Sequence, residues 1–467
     1  MFKGKFKAAV LSAVVLAGAS APAPAQAVKA SKATKESRPA EAAKGGASAG
    51  AAFDRKKFDE MRGAGFDALY NLDYEAARRQ FREMTRVFPD HPAGYQFLAA
   101  GLWLRMLNES RRLQSSVYNN EGFYKEKDDK VDPKAVEEFR ELTRQVRELS
   151  EARLKRDPKD VEALYYLGAV EGLKAAFAGA VERSFMSALK SGRESVDRHR
   201  DVVKLDPDFH DARVTIGMYD YVVGTLPLPV KIGATFLGVR GSKKKGLATL
   251  EQVAREGTWA RDDAGFLLIA LLKRERRYRD AYGYAAGLAE KYPRNYIFKM
   301  EAADALVSQA AAERATDPAA ARKSEEQAFA IFDSLLAPAR APQRGDPAAP
   351  KPPLDLVHYS YGEALLVAGQ AERSAREFIA VTEQAGAEAS LSTRARLRAA
   401  QALDVAGKRE AALAQYKQVL TRPNVYDSHE DARRGLKEPF KLPKSAGAAA
   451  GDGDDDADNN APGGRAN

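Results

Sequence analysis

Four residues at fixed intervals constrain this chain more than anything else in it. Gly65 is followed by Ala77 twelve positions on, Phe81 four beyond that, and Pro89 eight further. Small residues at the first two positions let two helices approach, an aromatic at the third fills the gap, and proline cannot continue a helix. The first three intervals recur at Gly362, Ser374 and Phe378, with Gly369 at the turn. They recur again at Ala400, Ala412 and Tyr416, with Gly407 at the turn and Pro423 one residue early. A degenerate copy has Tyr278, Ala281, Leu288 and Pro293. One helix pair cannot bury its apolar face alone, so copies must stack.

Expanded helical patterns fill the space between copies. Tyr95–Ser115 places Phe97, Leu98, Leu102, Leu104 and Leu107 toward one side, and a charged loop over Tyr118–Asp132 follows. Ala135–Arg156 resumes as helix. Glu162–Leu189 reads as one long apolar helix, with Ser191–Lys204 as its partner. Tyr296–Arg314 and Arg322–Leu336 make another pair. Residues 337–353 hold Pro338, Pro342, Pro347, Pro350, Pro352 and Pro353 and read as a loop. The expected class is all-α: a tetratricopeptide-like α-solenoid, a right-handed superhelix of helix pairs with disordered ends. Repeats occupy 53–336 and 354–442.

The least ordinary stretch lies at 205–298. Pro227 and Pro229 forbid a continuous helix, so the chain breaks at Leu226–Pro229 and restarts as a short apolar helix. Leu228, Val230, Ile232, Phe236 and Leu237 are its apolar residues. Gly217-Met218-Tyr219-Asp220-Tyr221, Gly224-Thr225-Leu226-Pro227, the run to Phe236-Leu237-Gly238, and Gly241-Ser242-Lys243-Lys244-Lys245-Gly246-Leu247 together carry a resemblance. This region resembles the tetratricopeptide repeat protein 39 / inclusion-body-clearance family and its bacterial relatives. The resemblance implies a helical scaffold without a catalytic site. In this chain the prolines are spaced rather than adjacent.

Both ends read differently from the middle. Lys3, Lys5 and Lys7, the apolar run Ala8–Ala17, and Ala25-Gln26-Ala27 fit a secretory signal peptide over 1–27. Residues 28–52 have no large apolar residue after Val28 and read as a disordered linker. The tail 443–467 carries Asp452, Asp454, Asp455, Asp456 and Asp458 and reads as disordered and acidic. The expected location is periplasmic or secreted, with no transmembrane segment in the mature chain. Net charge is +9, yet no basic stripe with interleaved aromatics appears, so nucleic acid is not the expected partner. The chain has no cysteine, which excludes disulfides, thiol nucleophiles and thiolate metal sites.

No enzyme chemistry is expected, nor any cofactor or metal. The five histidines (His91, His199, His210, His358, His429) lack zinc spacing, and His91 and His210 read as surface or capping residues. The Asp-rich tail has Ala457 where a calcium loop needs glycine. Gly241-Ser242-Lys243 reads as a turn with a helix-capping serine. Two functions fit this pattern. The first is an exported scaffold that holds a protein or peptide on its concave face, with Arg62, Phe66, Tyr70, Tyr359 and Glu363 as candidate contacts. The second is a lipid- or apolar-ligand-binding protein, with the 226–237 helix lining or capping a pocket inside the superhelix. N-terminal sequencing of the native protein is expected to begin at Val28; an intact Met1 in a cytosolic fraction would exclude export.

Overall fold

The computed structural model describes residues 53–113, 131–226, 231, 240–340 and 351–442. The expected leader, linker and acidic tail lie outside these residues, as do most of the charged loop, positions 341–350, and all five apolar residues named between Leu228 and Leu237.

Of the described residues 79% are helical and the helices pack in consecutive pairs; among them there is no strand. The first repeat is α1 (Arg55–Tyr70) and α2 (Tyr74–Val87), followed by α3 (Ala93–Glu109). Then come α4 (Pro133–Arg156), α5 (Val161–Ala180) and α6 (Phe185–Leu205). A 3-10 turn at His210–Ala212 leads into α7 (Arg213–Gly224). The second half runs through α8 (Lys243–Glu256), α9 (Arg261–Arg274), α10 (Tyr278–Lys291), α11 (Tyr296–Glu313) and α12 (Pro318–Arg340). Five more helices close the chain: α13 (Leu354–Val367), α14 (Ala371–Glu383), α15 (Ala389–Val405), α16 (Arg409–Leu420) and α17 (Ser428–Lys437). Asp54, Asp73, Asp132, Asp160, Ser242 and Asn295 each accept a first-turn backbone N–H, as helix-capping side chains do.

The repeat intervals act as expected. A Cβ added at Gly65 would stand 2.2 Å from the Phe81 ring, and one at Gly362 2.8 Å from the Phe378 ring. Ser374 Oγ donates to the Gly362 carbonyl at 2.8 Å, so its hydroxyl also ties the pair. The turns inside four repeats share one geometry. Leu72, Arg276, Gly369 and Gly407 all take positive φ, between 58° and 79°. The next residue in each case donates its N–H five residues back, for example Asp73 to Ala68 and Lys408 to Leu403. This is the left-handed helix end that glycine favours. Two repeats hold it with a leucine and an arginine.

Three boundaries differ from the sequence expectation. The Glu162–Leu189 stretch is not one helix: α5 stops at Ala180, Arg183 turns left-handed at φ 53°, and Ser184 donates to the Ala178 carbonyl before α6 starts. Apolar spacing runs through this corner and hides it. Tyr95–Ser115 ends at Glu109, where Arg111 at φ 57° closes α3. The helix expected over Arg322–Leu336 starts at Pro318 and continues to Arg340 through Pro338, so that proline does not open the loop.

The superhelix closes on itself. In a straight solenoid each repeat touches only its neighbours. Here Asn295 Nδ2 donates to the Tyr70 carbonyl at 2.6 Å, 225 residues away in sequence. The Arg294 N–H reaches Asn71 Oδ1 at 3.2 Å, and Tyr296 OH reaches Asn108 Oδ1 at 2.7 Å. Tyr70 stacks on Tyr292 at 4.9 Å and its hydroxyl donates to Asp263. The C-terminal end of α1 is thus covered by residues of α9–α11. His199 is buried within this turn. Its ring lies over Gly168, where a Cβ would come within 2.7 Å, and it bonds the Tyr165 carbonyl at 3.1 Å and the Thr215 hydroxyl. Burial pushes its pKa down from 6.5 to about 4.

Two expected outcomes follow from these details. Arg276 is exposed and holds a left-handed φ, so Arg276→Gly should raise stability by up to about 1 kcal/mol in denaturant titration. His199 stays neutral in the fold while the unfolded chain protonates near 6.5. Stability should therefore fall by about 3 kcal/mol between pH ~6.5 and ~4 and then level off. In His199→Gln that component of the pH dependence should vanish.

Candidate partner-binding cleft

Where the chain curls, a cleft of about 540 Å³ lies between the N-terminal turn and the C-terminal repeats. One wall is Arg78 of α2, the last turns of α3, and the start of α4; the other is Glu388 to Arg394 at the start of α15, with residues 423–426 before α17. The two walls are joined by an ion pair. Arg111, just past the end of α3, sits at 3.2 Å from Asp355 in the first turn of α13, 244 residues later. Asp355 is buried, and its oxygens also accept the N–H groups of Leu356 at 2.8 Å and Glu388 at 3.0 Å. One carboxylate thereby holds α3, α13 and the approach to α15 together.

The lining carries six cations (Arg78, Arg105, Arg111, Arg112, Lys134, Arg394) against four carboxylates (Glu109, Asp132, Glu138, Glu388). Several are already engaged. Arg78 bonds Glu138 at 2.6 Å, and Arg105 bonds Glu75 at 2.6 Å and Glu109 at 2.7 Å. Asp132 caps α4 and Glu388 caps α15. Arg394 is different. Its Nη2 donates to the Tyr359 hydroxyl at 3.0 Å, and its guanidinium lies over the rings of Tyr359 at 4.8 Å and Tyr426 at 5.5 Å. Among the described residues no carboxylate lies within ion-pair distance of it. The nearby Glu363 is taken by Arg398, which grips both its oxygens at 2.6 Å. Two aromatic faces therefore orient a guanidinium at the cleft wall with donor capacity to spare. Leu102, Met106, Val131, Leu391 and Val425 supply apolar lining between the charges.

The residues singled out in the sequence fall in three places. Tyr359 and Glu363 stand directly behind the cleft: one orients Arg394, the other occupies Arg398. Arg62, Phe66 and Tyr70 lie elsewhere, buried at the axis of the N-terminal superhelical turn. Arg62 is 2% exposed and its guanidinium lies 3.5 Å from the Trp259 ring centroid and 5.0 Å from that of Phe66. Burial pulls its pKa down to about 10; Tyr165, Tyr166, Asp211 and Asp263 partly offset this. Leu228, Val230, Ile232, Phe236 and Leu237 lie outside the described residues. His91 is buried rather than on the surface; its Nδ1 accepts the Ala93 N–H at 3.2 Å and its Nε2 reaches Glu162 at 3.1 Å. Ser242 caps α8, as its position before the lysine run suggests.

The cationic lining itself was missed. Its arginines are scattered over segments about three hundred residues apart and share no spacing, so only the tertiary fold assembles them. Among the described residues, no three His, Asp or Glu side chains are placed to hold a metal ion, and no helix is long and apolar enough to cross a membrane.

No known family profile and no curated protein matches the chain. Among solved structures it is similar to the human IFIT1 dimer with PPP-AAAA, at TM-score 0.42 and 11% identity, over 83% of this chain and 86% of that one. The same dimer with m7Gppp-AAAA gives TM-score 0.42 and 12% identity over the same shares. Yeast Tom70 gives TM-score 0.32 and 10% identity, over 81% and 87%. Identities and TM-scores this low transfer neither partner nor ligand.

Removing one partner of a buried ion pair strands the other charge. Arg111→Ala should therefore cost about 3–5 kcal/mol by chemical denaturation, through the stranded Asp355. Arg105→Ala, which removes an arginine paired at the surface, should cost no more than about 1 kcal/mol.

Proposed function

We propose that the protein is an exported helical-repeat scaffold, and that its cleft holds an extended, acidic segment of a partner protein. The observation that carries this reading is Arg394, oriented by two tyrosines and bonded to no carboxylate of the described chain. An acidic side chain or a terminal carboxylate entering the cleft would meet that guanidinium head-on. The apolar residues between the charges suit an extended peptide, and a wall built from the starts and ends of helices suits a site that is largely preformed. The sequence pattern at 1–27 supports export to the cell envelope. The resemblance of 205–298 to the tetratricopeptide repeat protein 39 / inclusion-body-clearance family supports a scaffold rather than an enzyme.

Fluorescence anisotropy with a labelled peptide rich in Asp and Leu, against its Lys counterpart, tests the reading. The acidic peptide should bind and the basic one should not, with affinity falling as salt rises. Arg394→Gln should weaken binding about tenfold or more, near 1.4 kcal/mol, while leaving the helical circular dichroism unchanged. Equal binding of both peptides, or no effect of Arg394→Gln, would overturn it.

A further inference from the structure

A second surface, away from the cleft, has a different chemistry. The corner at Arg183 and Ser184 sets α6 across α5 and leaves its first turns facing outward. Met186 is 72% exposed there and Leu189 45%. Met186, Leu189 and Arg193 fall at i, i+3 and i+7, so they share one face of the helix. Beside them is a shallow groove of about 80 Å³ between α5, α6 and α7, lined chiefly by Ala188, Leu189, Val196, Met218, Val222 and Val223. Its floor is kept low by small residues: a Cβ at Gly192 would touch Ala175 Cβ at 3.9 Å.

Cations frame this apolar face. Lys190 and Arg193 are exposed on α6 itself, and Arg200 lies 5.6 Å from the Tyr219 ring centroid. The start of α8 brings three more. Gly224, at the end of α7, leaves no room for a Cβ because Lys243 N would lie 2.3 Å away, and Gly241 sits against Val223. The first turn of α8, with Lys243, Lys244 and Lys245 all exposed, therefore starts beside the end of the groove's α7 wall. Lys243 reaches Glu275 at 3.3 Å; among the described residues no carboxylate pairs with Lys190, Lys244 or Lys245. The acids on this face are few. Asp197 stands 3.9 Å from Arg193 and 3.7 Å from Arg200, and Asp220 is buried.

We propose that this face docks on an anionic lipid surface. Met186 and Leu189 enter the boundary between headgroups and acyl chains, and Lys190, Arg193, Lys244 and Lys245 lie against the headgroup phosphates. Exposed apolar side chains cost little in contact with lipid and are disfavoured in water. Cations of one sign around them find their complement in a surface that is apolar beneath and anionic at its rim. A bilayer also needs no matching shape, which suits a groove this shallow and open. This inference uses none of the cleft residues and does not rest on the peptide reading.

Co-sedimentation of the full chain with vesicles tests it. Vesicles of phosphatidylcholine with phosphatidylglycerol should pull the protein down, vesicles of phosphatidylcholine alone should not, and added salt should release it. Met186→Asp with Leu189→Asp should reduce the bound fraction about tenfold or more at unchanged circular dichroism, since both side chains are exposed in the fold. Lys244→Glu with Lys245→Glu should do the same through charge alone. Equal binding to both vesicle types, no binding to either, or retention in both double variants would overturn the proposal. So would a dimer in the parent that becomes a monomer in Met186→Asp/Leu189→Asp, because a second copy of the chain would then be what covers the face.

Discussion

The fold turns on a dehydrated arginine. Arg62 stands at the axis of the N-terminal superhelical turn, its guanidinium against Trp259 and near Phe66 and Phe97. Among the described residues no carboxylate is close enough to form an ion pair with it. Taking a guanidinium out of water without a counter-ion is costly. The aromatic faces offset part of that cost, because a desolvated cation over an indole is held more strongly than an exposed one. Only a closed turn brings residue 259 to residue 62, so these contacts exist only once the chain has curled.

Closure changes what kind of protein this is. A repeat array that touches only its neighbours has stability that sums along one dimension. Here the Tyr70 carbonyl, Asn71 and Asn108 accept hydrogen bonds from residues 294–296, and Arg111 pairs with Asp355. Repeats far apart in sequence therefore share buried polar partners, and loss of one leaves the other unsatisfied in the interior. The concave face that an open solenoid would offer to a partner is, in the N-terminal turn, filled by the chain itself. The cleft lies where that turn meets the C-terminal repeats.

The two surfaces described above ask for different chemistry. The cleft is walled by charges that are mostly paired, with one guanidinium held in reserve by Tyr359 and Tyr426. The α6 face has exposed methionine and leucine with lysines that lack partners among the described residues. The first suits a specific acidic segment, the second a broad anionic surface. They lie on different helices, so occupation of one leaves the other free.

The repeat intervals alone determined the helix pairs at both ends of the described chain. Gly65 with Phe81 and Gly362 with Phe378 are local fits, made by residues sixteen apart, and such contacts are written in spacing. Capping at Ser242, the glycine turns at 369 and 407, and a chain break ahead of Pro227 were legible for the same reason. The corner at Arg183 was not, because apolar spacing continues through it and the turn is held by backbone bonds that any residue can make. Leu72 and Arg276 hide their turns likewise, since neither is a residue that left-handed φ selects. That the superhelix would close on itself was not legible. Its curvature accumulates from small angles at every helix pair, and no single residue encodes it. The tertiary structure alone therefore decided that Arg62 and Tyr70 would be buried at an axis. It also decided that Tyr359 would stand behind a cleft, and that arginines from α2, α3 and α15 would face one another across it.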